Sequence, residues 1–397
     1  MISEVRKAYN AAFTQERYEA FLNTINTTYK HRPPFRIGET PVFVPADFKK
    51  KLFQACEEIT DVICQPDFKD LSQGAILAGQ EVPGEDDHTL FLQMDFGVCR
   101  EENGELSPQL IEVQGFPSLY FFQDLLANAY RKHFEYPENF THLFGGLTSE
   151  EYMELLRKNI VGTSKAENVI LLEIEPEKQV TRIDFLGATH HLGIPTLCVS
   201  DLQMSGNDVF YRNANGQMIQ VEKILNRVIF DELINRSDLK RDFLFTKGPN
   251  VDWIGHPNWF FRISKHTLPL LKSQYVPDSR LLSDVDEIPK DLQNYVLKPL
   301  YSFAGSGVLI NINEHDLTGI KNKENYILQR KVAYAPVVET HDQPAKCEIR
   351  MLMLWEKGEA RPRIVNNLAR LSKGEMIGVR YNKNKEWVGA SVALFES

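Results

Sequence analysis

Residues 294–312, NYVLKPLYSFAGSGVLINI, hold the residue types best suited to phosphate chemistry. Tyr295–Pro299 is β-rich and ends in Lys298-Pro299. A second β-rich run begins at once, with Val308, Leu309, Ile310 and Ile312. Ser302, Gly305, Ser306 and Gly307 therefore fall at the tip of a ribbon between two strands. No helix follows them, which excludes a phosphate loop that delivers its anion to a helix N-terminus. A mobile tip offers backbone N–H groups and hydroxyls that close over phosphate oxygens, and Lys298 beside it supplies a compact positive charge. The chemistry this implies is the use of ATP.

Other candidates lie on both sides of that ribbon. Lys265 follows Ser264 at a helix start and is a second ammonium for a triphosphate. Glu348 and Arg350 are two apart on a strand, so both side chains share one face, an acid and a base suited to a metal–triphosphate complex. Asn366 and Arg370 add an amide and a guanidinium on the next strand. Mg²⁺ needs hard oxygen donors, which makes Glu348 and Asn366 the metal candidates, with Glu339 or Asp342 as alternatives. Arg350 and Arg370 match phosphate geometry and act best where charge develops. Upstream, Asp95, Glu112, Gln114 and Ser118 alternate with apolar residues, and an acid there suits a substrate ammonium. Arg182 and Arg227 suit a substrate carboxylate. No Ser/His/Asp or Cys/His arrangement is evident, and His190-His191 reads as a helix end before Gly193.

Three regions must position these residues. Residues 1–165 read as helices over 1–30, 46–66, 119–134 and 149–160, with strands at Thr89–Cys99 and Gln109–Gln114 joined by a turn containing Asn103-Gly104. Residues 166–255 alternate strand, helix and strand, starting from the continuous apolar run Asn168–Ile174, which predicts a small open α/β domain. Residues 256–397 predict a short helix at 265–274, then a largely antiparallel sheet with strands near 295–300, 307–312, 326–332, 347–355, 361–367, 376–380 and 387–394.

A chain of 397 residues with 43% hydrophobic and 25% charged content has the make-up of a soluble globular protein of two or three domains. It lacks an apolar run long enough to cross a membrane, and its first residues lack the apolar core of a signal peptide. Five scattered cysteines without a CxxC pair point to reduced thiols and a cytoplasmic location. A net charge of −9 speaks against nucleic acid as the partner.

The C-terminal third resembles the ATP-grasp superfamily. The pieces come in order: His256-Pro257-Asn258, Ser264-Lys265, Val276-Pro277, Tyr295–Pro299 with its SFAGSG loop, Tyr326–Val332, Glu348-Ile349-Arg350, and Asn366–Ser372. The segment Leu110–Leu119 is similar to one in glutathionylspermidine-synthetase-like ligases. The resemblance implies an α/β (α+β) ATP-grasp fold over 256–397, a pre-ATP-grasp domain over 166–255, and a helix-rich N-terminal region over 1–165 on the substrate side. It implies ATP and Mg²⁺ as cofactors. It places Gln329, Lys331 and Val332 against adenine, where the usual acid of the hinge is replaced by Gln329 and Arg330. It also implies a small-molecule or peptide carboxylate joined to an amine (or a thiol) through an acyl phosphate. The acid that such proteins often carry two residues before the asparagine is missing, since Ile364 and Val365 precede Asn366. That departure leaves room for an ATP-binding protein without ligase chemistry. A phosphotransferase is a third reading, without a visible swivelling domain to support it.

Overall fold

The computed structural model describes residues 1–301, 307–375, 377 and 382–396. Its frame is a six-stranded sheet drawn from both ends of the chain. Strand β2 (Phe91–Arg100) pairs antiparallel with β3 (Leu106–Gln114) on one side and β16 (Ala345–Leu354) on the other, and β16 leads to β17 (Arg363–Ser372) and β18 (Gly389–Ser391), in the order β18-β17-β16-β2-β3, while β15 (Pro336–Val338) also pairs β16. The first and last of the three expected regions thus share one sheet.

Strand alternation sorts the side chains of this sheet. Leu92, Met94, Phe96 and Val98 of β2 and Cys347, Ile349, Met351 and Met353 of β16 enter one core with Phe48, Leu52 and Ile59 of the helix Ala46–Ile63. The opposite face is divided. One end is apolar, with Phe91, Leu352, Leu354 and Val365 packed on Tyr120, Tyr152 and Leu156 from two helices. The other end carries Gln93, Asp95, Glu348, Arg350 and Arg370, and the functional candidates gather there.

A second sheet stands over that charged end: β12 (Ser279–Leu281), β14 (Tyr326–Arg330) and β13 (Tyr295–Pro299), all antiparallel. Leu297 and Leu328 turn outward into a small core with Leu282, Leu292, Ile312 and Leu317, whereas Ile327 turns toward the main core. The parallel sheet is β11 (Asp252–Ile254), β10 (Lys223–Asn226), β5 (Val169–Glu173) and β6 (Thr196–Cys198), flanked by the helix Arg182–Leu192. This is the expected open α/β unit. Two three-stranded sheets complete the fold: β7 (Leu202–Ser205), β8 (Asp208–Arg212) and β9 (Met218–Gln220) form a meander, and β1 (Val42–Val44), β19 (Ala393–Glu396) and β4 (Phe140–Thr141) tie the C-terminus to the helical region.

Several elements depart from expectation. Residues 1–30 form two helices, Ser3–Ala12 and Gln15–Thr28, because Thr14 is extended and its side chain caps the second. The segment after Ser264 is a 3₁₀ turn, Lys265–Leu270, with Pro269 stopping a longer helix. The run near 307–312 gives a single antiparallel bridge, Leu297 with Leu309, and no continuous strand. Residues 387–394 split between β18 and β19 in different sheets. The strand expected at 376–380 lies, apart from Ile377, outside the described residues. All five cysteines are unpaired, and no helix among the described residues is long and apolar enough to cross a membrane.

The helix Pro257–Arg262 packs close to the chain just after β3, at a position that needs a small residue. A Cβ on Gly115 would stand 2.7 Å from the Trp259 carbonyl, a backbone atom with little room to yield. Gly115→Ala is expected to lower stability by about 1–3 kcal/mol, measured by urea unfolding.

Candidate active site

The charged end of the main sheet is built around Asp95, buried on β2 between β16 and β3. Arg350, one strand over and directly opposite in register, grips it with two nitrogens: Nη2 donates to Oδ2 at 2.7 Å and Nε to Oδ1. Arg350 Nη1 donates to Gln93 Oε1 at 3.0 Å, and Nη2 stands 3.6 Å from Glu112 Oε1 on β3. Arg370, on β17 opposite Glu348, bonds both Asp95 and Glu348. Tyr334 donates its hydroxyl to Glu348 Oε2 at 2.9 Å, and Gln114 Nε2 donates to Glu112 Oε1 at 2.6 Å. Four neighbouring strands thus contribute charges of both signs to one network.

The field inside this network separates its two buried carboxyls. Burial works against ionisation of Asp95, but Arg350 and Arg370 outweigh it and hold its pKa below the ordinary value. Burial and the neighbouring Asp95 charge push Glu348 up, against the pull of Arg370. Burial also opposes the charge on Arg370, but Glu348 and Asp95 override it and raise its pKa. Asp95 and Arg370 are thus pushed toward their charged forms, and Glu348 away from its own.

Lys298 comes from the facing sheet. Register between β2 and β3 shifts at Asp95/Phe96, where Glu112 and Leu110 are the successive partners and Ile111 is the extra residue. Lys298 Nζ donates to the Ile111 carbonyl at 3.1 Å. Burial depresses the Lys298 pKa to about 8, Glu112 opposing and Lys265 assisting the shift. The segment that follows β14 lies along β2 at Gly97, where an added Cβ would stand 2.8 Å from the Tyr334 ring and 2.9 Å from Val332 Cγ1. Glycine there lets Tyr334 reach Glu348. A cavity of about 270 Å³ opens beside this segment, lined by Gln109, Pro277, Lys331 and Val332 among others.

The structure brings together Glu112, Gln114, Lys298, Glu348, Arg350 and Arg370, and the charge of Lys265 is felt at Lys298. Gln329 is buried on the face of the small sheet that carries Lys298. Gly307 is exposed at φ +72°, and Ser302, Gly305 and Ser306 lie outside the described residues. Asn366 does not join Glu348. It pairs with Leu352, four positions further along the strand, about 13 Å away, and is fully buried. Glu339 lies by the N-terminal helix, where Asn10 bonds its carbonyl, and Asp342 is held by Lys373. Arg182 pairs with Glu177 at the surface. Ser118 contributes its backbone carbonyl, which accepts from Gln93 Nε2 at 3.2 Å. Among the described residues no three His, Cys, Asp or Glu side chains gather as a ready metal cluster. Gln93, Gly97 and Tyr334 were not among the sequence candidates. For Gln93 and Gly97, with Asp95, the signal is three non-apolar residues at period two inside an apolar strand.

Arg227 stands apart at the end of β10, beside Glu173 at the end of β5. It is buried between Phe116 and Phe185, at 4.4 and 5.4 Å from their ring centres. Its Nη1 bonds the Pro117 carbonyl, and its Nε has no partner. Burial lowers the Arg227 pKa and raises that of Glu173 to about 8.

This architecture is shared with a known protein. A glutathione synthetase-like effector (GSS30) from Globodera pallida, in its apo form, superimposes over 97% of each chain with a TM-score of 0.57 at 11% identity. The fold is ATP-grasp-like. A γ-glutamylcysteine synthetase-like protein from Methylobacillus flagellatus matches over 87% of each chain at 13% identity, but its TM-score of 0.38 is too low to argue from. No protein-family model and no curated protein matches the sequence.

The network predicts an asymmetry in stability. Arg350→Met leaves Asp95 buried with half its compensation and is expected to cost on the order of 3 kcal/mol. Replacing Asp95 and Arg350 together by leucine should cost less than that single change, read from chemical unfolding of both variants.

Proposed function

We propose that this chain is an ATP-dependent ligase that joins a carboxylate to an amine through an acyl phosphate, releasing ADP and phosphate. The observation that carries the reading is the reach of Lys298 from the small sheet to the Ile111 carbonyl on β3, which brings an ammonium to the end of the main sheet that holds the two guanidiniums on Asp95. Lys298 and Lys265 neutralise the triphosphate, and Arg350 and Arg370 face the group being transferred. The substrate carboxylate attacks the γ-phosphorus, the bond to the bridging oxygen breaks, and ADP leaves. The amine then attacks the acyl carbon, and phosphate departs. No side-chain nucleophile is required, so catalysis rests on positioning and electrostatics.

The oxygen donors present suit Mg²⁺. Glu112 is a hard carboxylate that keeps an exposed edge, and Glu348 lies two strands away with its oxygens held by Arg370 and Tyr334. Bound there, Mg²⁺ would supply charge neutralisation for the phosphates. Arg227 is the better candidate for the substrate carboxylate than Arg182. It sits at the carboxyl end of a parallel strand, where the sheet order turns from β6 on one side of β5 to β10 on the other, the place such sheets bind ligands.

The position of Asn366 favours a second reading, an ATP-binding protein without turnover, because the expected partner of Glu348 is not beside it. Phosphate release separates the two. Under the ligase reading, ATP with Mg²⁺ raises the melting temperature, and phosphate appears only when pooled amino acids or polyamines are added. A melting shift without phosphate release from any pool supports binding alone.

Lys298→Met is expected to weaken ATP about ten- to hundredfold by calorimetry. Its effect on stability carries a pH signature. Below pH 8 the lysine is charged folded and unfolded, and the burial penalty is full. Between about 8 and the ordinary 10.5 the folded protein gives up the proton first, so the penalty fades and wild-type stability rises. The melting temperature of the variant relative to wild type should therefore fall across that window.

A further inference from the structure

Lys265 and Lys298 come from different parts of the chain, and the charge of one is felt at the other. Two ammonium groups repel, so the segments that carry them need to be held. A single turn touches both segments. Gln73–Ala75 is a 3₁₀ turn between the helix Phe68–Leu71 and β2. A Cβ on Gly74 would stand 3.6 Å from Nε2 of His266, the residue after Lys265. The Ala75 carbonyl accepts from the Tyr301 hydroxyl at 3.1 Å, and Tyr301 follows Lys298 by three residues. The turn itself is fixed by Arg262, which is buried and precedes Lys265 by three residues. Every N–H of this guanidinium is used. Nε donates to Glu85 Oε1 at 2.6 Å, Nη1 to the Lys69 carbonyl at 2.6 Å and to Ser72 Oγ at 3.3 Å, and Nη2 to Gln73 Oε1 at 2.8 Å and to Glu85 Oε2 at 3.0 Å. The rest of its helix grips the same stretch of chain. Asn258 accepts from the Val82 N–H at 2.9 Å and donates to the Val82 carbonyl at 3.1 Å, and Trp259 Nε1 donates to Asp86 Oδ1 at 2.8 Å. The His256-Pro257-Asn258 motif thus opens a helix that anchors a segment of the N-terminal region.

We infer that the turn Gln73–Ala75 is a bracket that sets the spacing of Lys265 and Lys298, with Arg262 and Tyr301 as its positioning residues. Both act through the lysines. Crowding two like charges costs free energy, and a bracket places that cost in the folded protein, so a polyphosphate meets a site already assembled. The two anchors divide the task. Arg262 fixes the turn to the segment that carries Lys265, and the Tyr301 hydroxyl ties the turn to the segment that carries Lys298. The Tyr301 ring packs against both neighbouring apolar cores, so the hydroxyl can be removed while the ring stays in place. This inference rests on the nucleotide reading given above.

Calorimetric titration with ATP and Mg²⁺ of the wild type, Tyr301→Phe, Lys298→Met and the double variant tests it, with each melting temperature taken without ligand. Tyr301→Phe should melt within a few degrees of the wild type yet bind ATP about three- to tenfold more weakly. In the Lys298→Met background the same change should cost distinctly less, because its effect runs through that lysine. A merely structural loss would cost the same in both backgrounds. Gln73→Ala, which releases the exposed end of the turn from Arg262, should repeat the pattern and decides the matter where Tyr301→Phe does not fold. Wild-type ATP affinity in the hydroxyl-free variant, or equal losses in both backgrounds, overturns the bracket and leaves the nucleotide site standing. A wild type that binds no ATP overturns both.

Discussion

One buried carboxylate organises this protein. Asp95 sits on an interior strand of a sheet assembled from both ends of the chain, and two guanidiniums from two different strands converge on it. A lone carboxylate at that depth would be forced to neutralise. With Arg350 and Arg370 in place it stays charged, and in turn it fixes both arginines with their remaining N–H groups aimed at Gln93, Glu112 and Glu348. Such a network adds little to stability compared with apolar residues of the same volume. Its worth lies in holding cationic groups rigid at one end of a sheet whose other face is packed solid.

Small geometric features let the second sheet meet this patch. The irregular step at Ile111 places a carbonyl where Lys298 can reach it. The bare backbone at Gly97 admits the Tyr334 ring, whose hydroxyl donates to Glu348, the buried carboxyl whose pKa burial pushes up. Gln93 connects the network to the loop at Pro117-Ser118, and that loop rests on Arg227 at the rim of the parallel sheet. The three layers are thus linked by polar contacts that begin at Asp95 and end at a second buried guanidinium with a spare N–H.

Much of this was legible in the sequence because strand periodicity is a strong signal. The runs that became β2, β3, β5, β14 and β16 were visible as apolar alternation or continuous apolar stretches, and Glu348 and Arg350 were assigned to one face from spacing alone. Asn366 was not placed correctly relative to Glu348, because register between strands depends on which residues lie opposite, and a shift at Leu352/Met353 sits in that stretch. Asp95 was noticed as an alternating acid but not as the centre, since its partners lie about 255 and 275 positions away. Tyr334 gave no local sign at all. Its role follows from a glycine on another strand.

A structure determined with a non-hydrolysable ATP analogue and Mg²⁺ tests the central claim most directly. The account predicts phosphate density between Lys298 and the Arg350/Arg370 pair, with Asp95 unmoved beneath them. Phosphates bound elsewhere, with Lys298 still on the Ile111 carbonyl and away from the nucleotide, would contradict it.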